Sequence, residues 1–339
     1  MAATFREVAV YSGVDESLPT GGQGIVVPSG RSNLVILQDG KGLVVQSTVP
    51  SKIEVYEFKK KQERADVAKN ASNPADAVRR FEEDSWRIFR IKAHAPVGLD
   101  KVTVEAKNAK GKAEATLKVL VVEKKPVKVH IRPVHVHNGK EFVRLGKAAD
   151  PNKLLAEMNA IWIPQANVYF ELGRTDPAKI KGLSPQTQTI EMQKLPQGFI
   201  DEQDSGLLTF FMVPKVTNGN THDKGATIAK ERVAVIGESR TDSTMAHEAG
   251  HFLGSLSEGG KYSSEYGHPK STKDMLMNEY HTGKKIPYSA VPNFNYGYQS
   301  RKNRPTLRPL SGCMPGNQGL AARVTAPLFP CTHGRTGAW

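Results

Sequence analysis

The strongest constraint on the fold is an alternation of apolar and polar residues in two runs, residues 101–106 and 115–121, which only Leu120 interrupts. In the first run Val102, Val104 and Ala106 alternate with lysine, threonine and glutamate. Successive side chains on a strand point to opposite faces of the sheet. A period of two with one polar face therefore predicts half-buried antiparallel strands.

Other short apolar runs precede these strands. Residues 34–37 and 43–45 flank the turn sequence 38–42, which predicts a β-hairpin. The charged stretch 59–84 interrupts the strands and predicts a short helix over residues 74–82. Several short strands separated by Gly, Pro and Asn turns resemble bacterial immunoglobulin-like modules, although the Cys and Trp markers of antibody domains are absent. The resemblance implies an all-β immunoglobulin-like sandwich.

The length of the chain and one charged segment predict a multidomain protein. At 339 residues the chain exceeds the usual size of a single domain, which favours about two domains. The run 122–126 is charged, ends in proline and directly follows the last alternating strand, so we place the boundary there. The prediction is a β-sandwich domain over residues 1–125 and a second domain over residues 126–339.

Beyond the boundary the pattern changes to mixed helices and strands. Asp150 followed by Pro151 predicts a helix start, with an N-cap and a proline at the first helical position. The apolar residues that follow share one helical face: Leu154, Leu155, Met158, Ile161 and Trp162. Strands are predicted at residues 128–136, 168–172, 207–213, 226–229 and 233–236. The second domain is therefore predicted to be α+β.

A second helix is predicted over residues 242–256, and it carries two histidines. His247 and His251 are four residues apart, which places them one turn apart on one face. The apolar residues of the opposite side are Met245, Ala249, Phe252 and Leu253. We therefore expect the helix to pack on a sheet while both imidazoles point into a cleft. Such a pair suits Zn²⁺, and Glu248 beside it can act as general base toward a metal-activated water.

The sequence HEAGHFLG at residues 247–254 resembles the HExxHxxG opening of the metzincin zinc metallopeptidases. In that family the glycine ends the helix, and the third zinc ligand follows three residues later. This chain has Ser257 at that position, so the family pattern is broken. The simplest reconciliation is a longer loop with His268 as the displaced third ligand. The alternatives for the third ligand are Glu258, Asp274 and His281.

Residues 274–277 resemble the metzincin Met-turn, which places a methionine beneath the zinc site. Met277 is preferred to Met275 because Leu-Met is the usual pair in that family. The order of strands and helices over residues 128–280 also resembles the upper subdomain of that clan. The resemblance implies that an extended peptide lies along an edge strand. The substrate-binding residues that it implies are Ala226, Thr227, Ile228 and Ala229.

A competing resemblance is to the thermolysin-like enzymes, whose third ligand is a glutamate on a second helix. Glu279 stands at a tolerable distance after His251. Those enzymes have an aspartate four residues after that glutamate, whereas this chain has Gly283 in a stretch that is not expected to be helical. The metzincin resemblance is therefore preferred.

Composition bears on partners. The 47 Lys and Arg against 34 Asp and Glu give a net charge of +13, which favours contact with anionic surfaces such as nucleic acid, phospholipid or an anionic cell-surface polymer. We do not expect a nucleic-acid partner, because the basic residues are dispersed rather than interleaved with stacking aromatics. No apolar stretch reaches the roughly 18 residues that a membrane span needs, so we expect no span. Cys313 and Cys331 are too few for a disulfide framework, and one disulfide or two free thiols both stay open.

The predicted function is a zinc-dependent endopeptidase that hydrolyses protein or peptide substrates. The first alternative is a catalytically impaired adhesin or cell-wall-binding module, because Ser257 breaks the family pattern. The second is a cargo or component of a bacterial secretion or phage-tail-like assembly. The N-terminus has no basic segment followed by an apolar one, so we expect secretion by a route without a Sec signal peptide, with a cytoplasmic location as the alternative.

Overall fold

The computed structural model describes most of the chain up to residue 255 and short segments after it. The described residues are 2–8, 13–15, 18, 22–69, 75, 78–79, 86–203, 207–218, 221–229, 231–255, 276–277, 284–288, 290–292 and 294–295. Most of the regular structure within them is β-sheet, with few helices, so the protein is β-rich.

The described residues of the first part of the chain form two β-sheets and include a short helix. Its elements are β1 Thr4–Glu7, β2 Val14–Asp15, β3 Gln23–Pro28, β4 Ser32–Gln38, β5 Val44–Ser47, β6 Ile53–Glu57, α1 Lys61–Ala68, β7 Trp86–Ala93, β8 Val97–Lys107 and β9 Ala113–Val122. One sheet has the order β1-β4-β7-β6 and the other the order β2-β3-β9-β8-β5. Both contribute to one core, which includes Phe5, Ile25, Val35, Phe89, Val104 and Leu117. The two sheets thus pack as a β-sandwich.

The two alternating runs lie within β8 and β9. These strands pair antiparallel, with Val104 opposite Leu117, and the alternating apolar residues of both face the sandwich core, whereas Leu120 and Val122 face the other side of the sheet. The predicted strands are confirmed. The predicted helix over residues 74–82 falls mostly outside the described residues. The three of its positions that are described, residues 75, 78 and 79, are helical. The charged stretch also contains α1 at Lys61–Ala68.

The predicted hairpin across residues 38–42 is wrong. β4 pairs with β1 and β7, whereas β5 pairs with β8 in the other sheet, so the turn carries the chain between sheets. Arg87 fixes this crossing, because its Nη1 donates to the main-chain oxygens of Gly40 at 2.8 Å and Leu43 at 2.6 Å. Its Nε also pairs with Glu57 at 2.7 Å. Turn residues indicate a change of direction, but packing decides which strands pair.

The second part of the chain is mixed. Its elements are β10 Lys125–His137, β11 Phe142–Arg144, α2 Pro151–Ala166, β12 Val168–Leu172, β13 Ala178–Lys179, β14 Ile190–Glu191, a 3-10 helix Met192–Lys194, α3 Gln197–Asp201, β15 Leu208–Met212, β16 Val216–Asn218, β17 Thr221–Asp223, β18 Gly225–Ile228, β19 Val233–Ile236 and α4 Thr244–Ser255. The five predicted strands are present as β10, β12, β15, β18 and β19. The predicted cap of α2 is also confirmed, because the side chain of Asp150 accepts from the N–H of Asn152 at 2.9 Å.

The main sheet of this part is largely parallel. β10 pairs in parallel with β12 and β15, and β15 pairs in parallel with β19. β18 pairs antiparallel with β19 and ends the path β11-β10-β15-β19-β18. Helices α2 and α4 share a core with one face of this sheet, and Nε1 of Trp162 donates to the main-chain oxygen of Ala246 across 3.1 Å. The core shared with the sheet and the hydrogen bond from α2 together hold α4 beside β18.

The two parts of the chain are joined closely. β9 ends at Val122 and β10 begins at Lys125, so the predicted boundary segment contains a two-residue link and the start of β10. The core beneath α2 and α4 also contains four residues from the first part: Leu18, Val26, Leu120 and Val122. Nδ2 of Asn167 donates to the main-chain oxygen of Val122 at 2.8 Å. The sandwich therefore completes the core that supports α4.

Candidate functional site

Helix α4 carries two of the three predicted metal ligands, His247 and His251. It begins at Thr244, and its apolar side is buried as predicted. His247 and Glu248 are fully buried and His251 is 6% exposed, so the imidazoles are enclosed rather than facing an open cleft. The helix continues through Gly254, the position at which the family pattern ends its helix.

The two imidazoles converge on one point. Nε2 of His251 lies 3.1 Å from Nε2 of His247, and the ring planes meet at 82°. Two nitrogens bound to one zinc ion at about 2.0–2.1 Å and near the tetrahedral angle lie about 3.3 Å apart. The rings are therefore close to the arrangement that two ligands of one zinc ion adopt.

A main-chain oxygen orients His247. Nδ1 of His247 lies 2.7 Å from the main-chain oxygen of Leu276. A carbonyl oxygen can only accept, so Nδ1 carries the proton and Nε2 is left as the lone-pair nitrogen that faces His251. Metal-binding histidines commonly make such an outer hydrogen bond, because it fixes both the tautomer and the ring orientation.

A buried glutamine holds the segment that orients this histidine. The N–H of Leu276 donates to the main-chain oxygen of Lys285 at 2.8 Å. Gln165, which is buried on α2, forms hydrogen bonds with the residues on either side of Lys285. Its Nε2 donates to the main-chain oxygen of Lys284 at 2.7 Å, and its Oε1 accepts from the N–H of Ile286 at 2.8 Å. A continuous hydrogen-bond path thus runs from this amide to the first imidazole.

Met277, the predicted Met-turn residue, packs against α4. It is buried, and a Cβ built at Gly250 would collide with its Sδ. Gly250 lies between His247 and His251, so the thioether contacts the helix turn that carries both imidazoles. The alternative, Met275, lies outside the described residues.

Glu248 contacts the end strand of the sheet. Oγ1 of Thr227 lies 2.6 Å from Oε2 of Glu248, and both side chains are buried. The carboxylate therefore accepts a hydrogen bond from β18, the strand for which the metzincin resemblance implies substrate binding.

The four predicted substrate-binding residues lie on or directly after β18. Ala226, Thr227 and Ile228 belong to the strand, Ala229 follows it, and all four are buried. Ala226 and Ile228 pack into the core on one face of the sheet. Thr227 faces α4 on the other, where it reaches Glu248.

The predicted third ligand His268 lies outside the described residues. The same is true of the alternatives and related positions: Ser257, Glu258, Asp274, Glu279, His281, Gly283, Cys313 and Cys331. Within the described part of the chain, no group of three or more His, Cys, Asp or Glu side chains could hold a metal ion. The described geometry therefore supplies two candidate ligands.

Sequence reasoning missed two contributors to this site, Gln165 and Gly225. Gln165 lies on the same buried face of α2 as Met158 and Ile161. A polar residue on an otherwise apolar helix face was therefore the sequence feature that could have indicated its role. Gly225 leaves space for the Glu248 carboxylate, because a Cβ built there would lie 3.1 Å from its Oε1. It left no such signal, since this contact depends on the approach of Glu248 from a different element.

Burial at the junction of the two parts perturbs two titratable groups. Desolvation lowers the pKa of Lys125, at the start of β10, to about 7. Burial raises the pKa of the Tyr288 hydroxyl far above its usual range. The ring of Tyr288 lies against Gly24 of the sandwich, where an added Cβ would approach it to 2.7 Å. Both groups belong to the junction between the two parts.

Comparisons with known proteins found only low structural similarity between this chain and solved structures. No protein-family model and no curated protein matches the chain. A crystal structure of the titin domains z1z2 in complex with telethonin is 14% identical with a TM-score of 0.19, and the alignment covers 39% of this chain and 58% of that one. An I-band fragment of titin is 14% identical with a TM-score of 0.18, covering 44% and 52%. The chain thus spans less than two thirds of either titin chain. No helix in the described ranges is long and apolar enough to cross a membrane.

Proposed function

We propose that this chain is a zinc-dependent endopeptidase of the metzincin-like type. The observation that carries the proposal is the convergence of two imidazole nitrogens to 3.1 Å on a helix that also bears Glu248. The parallel sheet with an antiparallel end strand beside this helix supports the same assignment.

His247 and His251 would hold the metal, with His268 as the proposed third ligand. The chemistry of the donor set fits zinc, because the hydrogen bond from Nδ1 of His247 to Leu276 leaves Nε2 with its lone pair. When bound, zinc supplies a Lewis acid that polarises the scissile carbonyl and acidifies water. Glu258, Asp274 and His281 are the alternative third ligands.

Glu248 acts as the general base in this proposal. Its Oε2 accepts from Thr227, so we assign the transferred proton to Oε1. At Oε1 the carboxylate takes a proton from the attacking water and then delivers it to the leaving amine. Complete burial keeps the carboxylate in a medium where each electrostatic contact is stronger than in water.

The proposed substrate is a protein or peptide in extended form. β18 ends the described sheet path, so its outer edge can offer main-chain donors and acceptors to a substrate strand. Because all residues of β18 are buried, substrate entry requires this edge to be uncovered.

The first part of the chain is proposed to be an immunoglobulin-like sandwich that positions or targets the peptidase. Its two sheets and the core that they share support this assignment. The net charge of +13 favours targeting to an anionic cell-surface polymer.

One observation favours the alternative of a catalytically impaired binding module. Glu248 and the whole of β18 are buried, as expected of a site that has lost access to substrate. Zinc content and hydrolysis separate the two functions.

The test measures zinc content and hydrolysis of casein by the full chain. His247→Ala should lose both, whereas Glu248→Gln should keep zinc and lose hydrolysis, because an amide cannot take the proton. His137→Ala is the matched control, since this histidine is exposed on β10, and it should keep both. Full activity in Glu248→Gln, or a wild-type protein that binds no zinc, would contradict the proposal.

A further inference from the structure

Thr227 and Glu248 form a short buried hydrogen bond between β18 and α4. The distance of 2.6 Å from Oγ1 to Oε2 is within the range of about 2.5–2.7 Å for a hydroxyl that donates to a carboxylate. The same Oγ1 lies 3.3 Å from the main-chain oxygen of Glu248. A hydroxyl has one proton to donate, and the carboxylate is the nearer acceptor.

Gly225 gives the carboxylate its space. Residues two apart on a strand share a face, so Gly225 and Thr227 both face α4. A Cβ built at Gly225 would lie 3.1 Å from Oε1 of Glu248 and 3.0 Å from Cγ2 of Thr244. β18 therefore borders both carboxylate oxygens of Glu248. The hydroxyl of Thr227 donates to Oε2, and Gly225, which has no side chain, lies beside Oε1.

The donor is held rigidly. Threonine is β-branched and stiff at χ1, and Thr227 is 3% exposed on a paired strand, opposite Ala234. A glutamate has three side-chain torsions, so its carboxylate needs an external contact to stay in one place. The hydroxyl of Thr227 provides that contact from a fixed element.

We propose that Thr227 is a positioning residue for Glu248. By occupying Oε2, it holds Oε1 toward the site of proton transfer. The same residue contributes its main chain to the strand proposed to pair with substrate, so one position sets both the base and the substrate register. This inference rests on the proposed function, because it requires Glu248 to be the general base.

The test uses Thr227→Val, which keeps the shape and removes the hydroxyl, in the zinc-loaded full chain. We expect kcat for casein hydrolysis to fall about 10- to 100-fold, since a small misplacement of a reacting group costs this much. KM, zinc content and the unfolding temperature should stay at wild-type values. Thr227→Ser, which restores a hydroxyl, should recover most of kcat.

Thr209→Val is the matched control. Thr209 is a buried threonine on β15 whose Oγ1 has no hydrogen-bond partner within the part of the chain that the structure describes. The variant should keep wild-type kcat, zinc content and stability. If it lost activity to the same degree as Thr227→Val, loss of any buried hydroxyl would be the cause and the inference would be wrong.

Two further outcomes would overturn the inference. Wild-type kcat in Thr227→Val would show that the hydroxyl has no positioning role, and loss of zinc or of stability in that variant would show a structural role instead. Glu248→Gln distinguishes failure of this inference from failure of the proposed function. If that variant is inactive while Thr227→Val is fully active, only the inference fails, whereas an active Glu248→Gln removes the proposed function itself.

Discussion

Nδ1 of His247 donates to the main-chain oxygen of Leu276 across 2.7 Å, which joins α4 to a segment 29 residues further along the chain. The distant segment is itself fixed to α2 by Gln165. The orientation of one candidate ligand thus depends on a glutamine in a different helix.

Gln165→Ala should weaken zinc binding. Without the amide, residues 284–286 lose two hydrogen bonds, Leu276 is less well held, and the His247 ring loses its fixed orientation. Loss of outer-shell support of this kind costs about 10- to 100-fold in metal affinity. Competition with a chromogenic zinc chelator measures the change.

Gln197→Ala is the control, because Gln197 is an exposed glutamine on α3 whose Nε2 donates to Asp201. It should leave zinc affinity at the wild-type value. Equal affinities for Gln165→Ala and Gln197→Ala would show that the path through Leu276 does not support the site.

Gly250→Ala should destabilise the protein and weaken zinc binding. Its Cβ would collide with Sδ of Met277 and would lie 3.6 Å from Cζ2 of Trp162. Added atoms in a packed core cost about 1–3 kcal/mol in the free energy of unfolding. Denaturant unfolding of the variant and the wild type measures this cost.

Gly254→Ala provides the comparison within the same helix. Its Cβ would meet Cε1 of Phe294 at 3.5 Å, an ordinary contact, so the change should stabilise α4 by about 0.5–1 kcal/mol. Opposite signs for the two variants are expected. Stabilisation by both would mean that Met277 does not constrain Gly250.

The stability of the chain should depend on pH through Lys125. Burial lowers its pKa to about 7 in the folded state, whereas the unfolded chain has the ordinary value of 10.5. Between these values the unfolded state binds more protons, so the free energy of unfolding rises with pH, by at most about 1.4 kcal/mol per pH unit. Below the folded pKa the penalty for the buried charge is fully present.

Lys125→Met should therefore stabilise the protein most at about pH 7 and below, and its advantage over the wild type should shrink toward about pH 10. Denaturant unfolding across this range measures the difference. Lys128→Met, at an exposed lysine of the same strand, should show no such trend. A constant difference for Lys125→Met would contradict the depressed pKa.

A fragment that begins at residue 126 should be less stable than the full chain. The sequence boundary suggests independent domains, but removal of residues 1–125 would strip Leu18, Val26, Leu120 and Val122 from the core beneath α2 and α4. The fragment should unfold at lower denaturant concentration and aggregate more readily. A fragment as stable as the full chain would show that the shared core adds nothing to the second part.

Local patterns predicted much of the fold because they act over a few residues. The alternation that ends at Val121 and the cap at Asp150 both have one physical solution, and both are present. The turn at residues 38–42 is compatible with several strand pairings, since a reversal of direction does not specify a partner strand. The position of α4 beside β18 also follows from the sheet rather than from either segment.

The site was predictable only in part, for the same reason. The spacing of His247 and His251 places both on one helix face without any tertiary information. The hydrogen bonds from Thr227 to Glu248 and from His247 to Leu276 connect elements 21 and 29 residues apart, and their existence depends on the sheet order. No local pattern contains them.

The most direct test of zinc binding by α4 is an anomalous-scattering map at the zinc edge from crystals of the full chain. We predict one peak within bonding distance of Nε2 of His247 and Nε2 of His251, with His268 as the third protein ligand. The peak should be lost in His268→Ala but not in Ser257→Ala. A zinc-soaked crystal with no peak between His247 and His251, or with zinc bound only elsewhere, would contradict the claim that this helix is a zinc site.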